Sequence, residues 1–219
     1  KTVLVIGGGI SGMTSALGSA DAGYNVVLVE KQPELGGWAA KMYKQLPQSY
    51  PFETLEEPNI KDVIGKVNSH SKIEVFTSSE IEKIAGVPGQ YDVSIRTNGG
   101  TQEKKAGSVI LAAGWRPYDA NKLEHLGYGK NPNVITNVQM EEIASKGKIT
   151  RPSDGKEAEK VAFIQCAGSR DQNHLPYCSS FCCLTSLKQA AYVREKNPDA
   201  LAYILYKDMR TPGQYELFY

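Results

Sequence analysis

Residues 3–6 form an apolar run that ends in Gly7-Gly8-Gly9, and Gly12 follows. The spacing Gly7-x-Gly9-x-x-Gly12 constrains the fold more than any other feature of the chain. A strand must enter this turn and a helix must leave it. Gly7 permits the tight turn, Gly9 lets the backbone approach a pyrophosphate, and Gly12 lets the helix pack close to the strand. Residues 11–22 read as that helix, with Met13, Ala16, Leu17 and Ala20 on one face and Gly23 as its left-handed stop. Residues 26–29 read as a second buried strand ending at Glu30. A β-α-β unit of about thirty residues with a right-handed crossover is the first half of a doubly wound parallel sheet. A phosphate on it would rest on the unpaired amides at the helix start, around Gly9, Ile10, Ser11 and Gly12. Glu30 stands where a carboxylate accepts hydrogen bonds from ribose hydroxyls and repels a 2′-phosphate, which disfavours NADP. The bland alternative is a fold that keeps the turn and has lost the ligand.

The rest of the chain is less regular. Residues 35–55, rich in Gly, Pro and aromatics, read as loop around a short helix. Residues 60–69 read as helix, and 73–77, 79–85 and 91–97 as strands. Asn98-Gly99 then marks a hairpin. Residues 107–113 read as a buried strand that closes on Gly114. The polar stretch 145–160 is the expected boundary between a first domain, 1–150, and a second unit, 151–219. That second unit starts a new strand at 161–165, followed by a helix at 185–196 and a strand at 202–206. A complete second dinucleotide-type domain needs about a hundred residues, so the expectation is a partial second domain and a piece of a longer polypeptide.

Composition excludes some classes of function. The chain has 25 basic and 24 acidic residues and a net charge of +1, which leaves no concentrated basic surface for nucleic acid. No run of about 18 apolar residues offers a membrane span. The N-terminus enters a strand at once, so no signal peptide is expected. No Ser–His–Asp arrangement or paired-carboxylate site emerges.

All 4 cysteines lie in one window, Cys166, Cys178, Cys182 and Cys183, spaced C-x11-C-x3-C-C. A secreted disulfide scaffold would spread them along the chain. If residues 178–182 were helical, Cys178 and Cys182 would share a face, with Cys183 at the next position. Cys166 would reach in from a strand end. Several chemistries remain open on spacing alone. An iron–sulfur cluster needs four thiolates and tolerates irregular spacing. Structural zinc prefers paired C-x2-C knuckles, which are missing. A redox dithiol leaves two cysteines unexplained, and buried inert cysteine is common. In the strand at 161–165, the first-glycine position of a pyridine-nucleotide motif is expected to hold Cys166, which disfavours a second pyrophosphate. Arg170 and His174 fall between the cysteines, where they would either tune a metal centre or line a surface loop.

Leu35-Gly36-Gly37 and Leu111-Ala112-Ala113-Gly114-Trp115-Arg116-Pro117 resemble recurrent marks of FAD domains in the glutathione reductase and thioredoxin reductase superfamily. That resemblance implies an α/β, Rossmann-like FAD domain, with Gly36, Gly37, Ala113 and Gly114 near the cofactor. Trp38 is placed beside the flavin or adenine, or else as a packing aromatic, and Lys31 at the ribose edge or in solvent. The segments Val161–Asp171, Pro176–Cys183 and Lys188-Gln189-Ala190 resemble the A-subunit family of heterodisulfide reductase. That family includes the flavoprotein subunits of the quinone-interacting membrane-bound oxidoreductase complex, and residues 208–219 lean towards its B-subunit branch. The resemblance covers essentially the whole chain. It implies FAD, a [4Fe–4S] cluster on the four cysteines, and electron traffic with iron–sulfur and membrane partner subunits. The expected location is the cytoplasm, with membrane association only through partners. Three departures stand out. Residues 46–58 (LPQSYPFETLEEP) lack the cysteines that many members carry there, ferredoxin-type insertions are missing, and so is the usual return segment of the FAD domain. Two further readings remain: a pyridine-nucleotide-dependent disulfide reductase using Cys178 or Cys182, and a zinc-stabilised or cofactor-free scaffold.

Overall fold

The computed structural model describes residues 1–219. They fall into two compact units, one of residues 1–41 and 58–116, the other of residues 42–57 and 117–219.

The first unit opens with β1 (Thr2–Ile6), α1 (Ile10–Asp21) and β2 (Asn25–Val29), as the glycine spacing requires. Next come α2 (Ile60–Ser69), β3 (Ile73–Phe76), β4 (Glu80–Val87), β5 (Gln90–Thr97), β6 (Gly100–Ala106) and β7 (Ser108–Leu111). The strands form a parallel sheet in the order β3-β2-β1-β7 and an antiparallel sheet β4-β5-β6. Alternation along β1 and β2 sends side chains to two cores, because successive residues of a strand point to opposite faces. Val3, Val5, Val26 and Leu28 meet Met13, Ala16 and Ala20 of α1 and Ile60 and Val67 of α2. Leu4, Val27 and Val29 meet Val93, Ile95 and Ala106 of the antiparallel sheet. A strand covered on both faces reads as an unbroken apolar run, and TVLVI does. Gly23 stops α1 with φ +95°, as expected.

The second unit holds α3 (Asn137–Ser145), β8 (Lys160–Ile164), α4 (Cys182–Lys196) and β9 (Leu201–Leu205). β8 and β9 pair in parallel. Met140 and Ala144 of α3 pack with Tyr192 and Val193 of α4, Ile149 and Ala200. Residues 117–150 therefore belong with β8 and β9, and the chain divides at 116/117 rather than at 150. The polar stretch at 145–160 is a connection inside this unit, where Thr150 bridges Glu157.

At the centre of the second unit is a buried polar hub. Glu141 is 3% exposed and has four polar partners. Its Oε1 accepts from Gln189 Nε2 at 2.8 Å and pairs with Lys188 Nζ at 3.1 Å. Its Oε2 accepts from the Tyr43 amide at 2.9 Å and lies 3.1 Å from the Tyr192 hydroxyl. Lys188 also donates to the Lys44 carbonyl at 2.9 Å. Burial pushes the Lys188 ammonium below its ordinary pKa, and Glu141 pulls it back up. Burial pushes the Tyr192 phenol well above its own. Lys188, part of the resemblance motif, thus holds residues 42–44 against α4, and Gln189 beside it ties α4 to α3. Removing one partner from a buried pair strands the other charge, at a cost of about 3–5 kcal/mol. Lys188→Met is expected to destabilise the protein by that amount in urea unfolding. A loss below about 1 kcal/mol, the scale of an exposed pair, would show that the hub does not hold the unit together.

Candidate functional site

In the first unit, β1 delivers the glycines to the start of α1. Gly7 has φ +110°, and a Cβ there would lie 2.2 Å from the Ala112 carbonyl oxygen. A Cβ at Gly12 would lie 1.8 Å from the Gly7 carbonyl oxygen, so the helix can sit this close only as glycine. Gly9 is different. Its φ is −75°, and a Cβ there would meet nothing within 4 Å. The open space above Gly9 is the cradle a pyrophosphate needs. α1 has no side-chain cap on Gly9 and no acid in its first turn, so the amides around Ile10 and Ser11 face that space unneutralised. Ile10 and Ser11 are exposed.

The double glycine joins the cradle. The Gly36 amide donates to the Gly8 carbonyl at 2.8 Å, and Gly36 bridges Gly9 in parallel. A Cβ on Gly37 would stand 3.2 Å from the Gly9 Cα. Glu30, 8% exposed, accepts from the Gly8 amide at 2.6 Å and from the Gln32 amide at 2.8 Å, one bond on each oxygen. Each oxygen keeps a further lone pair, which is what a ribose diol would use. Lys31 beside it is exposed. Gly8 is a residue of this turn that motif spacing passes over. A Cβ there would meet the Leu35 side chain at 2.5 Å and Glu30 Cβ at 2.9 Å. Its signal is the unbroken Gly7-Gly8-Gly9 run.

Ala113 and Gly114 follow β7, both exposed, with Gly114 at φ +68°. Trp38 stacks on Trp115 at 5.2 Å, donates its indole N–H to the Trp115 carbonyl at 3.0 Å, and carries Lys41 over its ring at 4.8 Å. This packing role ties the double-glycine loop to the loop after β7.

In the second unit, the Gln165 amide donates to Leu205, just as the Gly7 amide donates to Val29. Gln165 therefore holds the first-glycine position, and Cys166 stands one residue later with φ +57°. The expectation that Cys166 fills that position is corrected by register. The loop also offers no cradle. A Cβ on Gly168 would lie 2.5 Å from the Tyr118 ring, and no helix begins until Cys182. Cys178 lies in the loop before α4, so Cys178 and Cys182 do not share a helix face.

Cys182 and Cys183 occupy the first turn of α4, where the dipole favours negative sulfur. Cys178 accepts from the Ser180 amide at 3.3 Å. Arg170 Nη1 stands 4.0 Å from Cys166 Sγ. Burial pushes the Cys183 thiol up, while an N–H from the Arg210 backbone opposes this; Cys182 and Cys166 are among its neighbours. All four cysteines are free, and no three His, Cys, Asp or Glu side chains converge closely enough to hold a metal ion. His174 is engaged elsewhere, with Nδ1 2.6 Å from the Tyr118 hydroxyl. No helix is long and apolar enough to cross a membrane.

Residues 1–164 match the family model described as pyridine nucleotide-disulphide oxidoreductase. The chain is 30% identical, over 307 aligned positions, to a Methanopyrus kandleri protein named as an iron-sulfur A-subunit of CoB--CoM heterodisulfide reductase, covering 100% of this chain and 45% of that one. Against the protein of the same description from Methanocaldococcus jannaschii, identity is 29% over 302 positions, covering 100% and 45%. The chain thus spans about half the length of these relatives, which also carry residues inside the matched span that it lacks. Among solved structures, a T. acidophilum thioredoxin reductase superposes with TM-score 0.56 at 15% identity, covering 98% of this chain and 60% of that one. An L-proline dehydrogenase from P. horikoshii gives 0.52 at 17%, covering 97% and 36%. Both show the shared fold.

The contrast between Gly9 and Gly12 is testable. Gly9→Ala is expected to leave folding stability within about 1 kcal/mol and to lower FAD affinity at least tenfold. Gly12→Ala is expected to lose the fold. Unchanged FAD affinity in a folded Gly9→Ala protein would mean that no pyrophosphate approaches there.

Proposed function

The chain belongs to the pyridine nucleotide-disulphide oxidoreductase family, and on that premise we propose that it is an FAD- and iron–sulfur-dependent electron-transfer subunit of heterodisulfide reductase type. The observation that carries the flavin half is the open space over Gly9, bounded by Gly36, Gly37 and the uncapped start of α1. The relatives named as iron-sulfur A-subunits support the other half. Four free thiols in one loop and helix start suit a [4Fe–4S] centre. Cys166, Cys178, Cys182 and Cys183 have the number and kind of ligands that such a centre would take.

In this reading Gly9, Ile10, Ser11 and Gly12 bind the pyrophosphate and Glu30 the ribose. Gly36, Gly37, Ala113 and Gly114 line the same opening. Cys166, Cys178, Cys182 and Cys183 hold the cluster. When bound, FAD exchanges electrons in pairs and the cluster exchanges them singly, which couples two kinds of carrier. The partners are other subunits of an electron-transfer complex of the kind the relatives' names describe, with membrane or quinone contact made through them and the chain itself in the cytoplasm. The B-subunit branch of the quinone-interacting complex is the finer assignment. A pyridine-nucleotide disulfide reductase would need a second pyrophosphate site, and the Tyr118 ring against Gly168 stands where one would form.

Anaerobic purification with flavin, iron, sulfide and zinc measured on one sample tests this reading. Flavin bands with about four irons per chain are expected, and Cys182→Ala should remove the iron while keeping the flavin. Iron content unchanged by Cys182→Ala would sink the cluster assignment. A yellow, iron-free protein bleached by NADH would favour the disulfide reductase.

A further inference from the structure

The cysteine loop carries an ion triad that the fold does not need for its core. Arg170 Nη1 donates to Asp208 Oδ1 at 2.5 Å, and Arg210 Nε donates to Asp208 Oδ2 at 2.8 Å. The same Arg170 nitrogen stands 4.0 Å from Cys166 Sγ. Cys178 is an electrostatic neighbour of the Arg210 guanidinium, and Cys183 of the Arg210 backbone. Lys207 Nζ donates to the Arg170 carbonyl at 3.2 Å, which fixes the backbone that aims the guanidinium. Arg170 itself sits in the left-handed region at φ +53°, a conformation that non-glycine residues take up only when the surroundings hold them there. Two guanidinium charges flank the cysteines, and one carboxylate between them offsets part of that charge.

We propose that Arg170 and Arg210, spaced by Asp208, set the reduction potential of the centre held by Cys166, Cys178, Cys182 and Cys183. This rests on the cluster reading given above. One-electron reduction adds a negative charge to a thiolate-bound centre. Cations and N–H donors at the sulfurs stabilise that added charge and raise the potential, and a nearby carboxylate lowers it. The Arg170 side chain is only 24% exposed, so water screens its field less than it would a free surface charge. Arg170 and Arg210 act through the sulfurs and are positioning residues.

The test is an anaerobic potentiometric titration followed by electron paramagnetic resonance, on the full chain with its partner subunits. Arg170→Gln is expected to move the midpoint to more negative potential, Arg170→Lys to stay near wild type, and Asp208→Asn to move it to more positive potential. Opposite signs from one clamp report charge, since damage to packing has no reason to reverse with the charge removed. A wild-type midpoint in Arg170→Gln at full iron and sulfide content overturns the proposal, as do shifts of one sign in both variants. Loss of the cluster in Arg170→Gln, Arg170→Lys and Arg210→Gln alike would make the arginines structural supports and overturn it too. An unmutated chain without iron or sulfide overturns the cluster reading itself, so iron analysis of the wild type tells the two failures apart.

Discussion

The bond from the Gly8 amide to a Glu30 carboxylate oxygen, 2.6 Å long and buried, is the contact on which the first unit's site depends. It joins the turn after β1 to the end of β2. The other Glu30 oxygen takes the Gln32 amide, which starts the chain towards the double glycine. Gly36 then returns to the Gly8 carbonyl. Three separate backbone stretches are thereby fixed around one opening, with the acid buried among them. A charge this far from water is tolerated because amide donors replace its hydration. The same residue can thus build the cradle and still offer lone pairs to a sugar.

The second unit solves a different problem. Two parallel strands make little structure alone. Glu141 gathers donors from residues 43, 188 and 189 with the Tyr192 hydroxyl beside it, and so ties a loop, α3 and α4 into one body. Such a hub gains little over a well-packed apolar core, but its geometry admits few alternatives. A firmly positioned α4 is also what fixes Cys182 and Cys183.

Much of the first unit was legible in the sequence because its rules are local. The glycines, the strand runs and Gly23 each require one backbone conformation. The hairpin signal at Asn98-Gly99 implied a return strand, but the extent of β6 was not read, since GTQEKKA is polar and lies at the sheet edge, where burial leaves no apolar pattern. α3 was missed although Thr136 and Gln139 form a capping box, a signal present in the sequence. The boundary near 150 failed for a subtler reason. Polar, Gly-rich composition reports exposure, and an exposed connection inside a unit looks the same as one between units. Register explains the displaced Cys166: one more residue of strand, as judged from pattern, moves every later position by one. The Arg170–Asp208–Arg210 triad lay beyond reach, because it joins residues from both sides of α4 and β9.

The unequal clearances at Gly9 and Gly12 also separate two reasons for a glycine. Gly12 is demanded by the fold whether or not anything binds. Gly9 has room for a side chain, and only an occupant of that room forbids one. Of the pair, Gly12 is required by packing alone, while at Gly9 the fold by itself leaves room for a side chain.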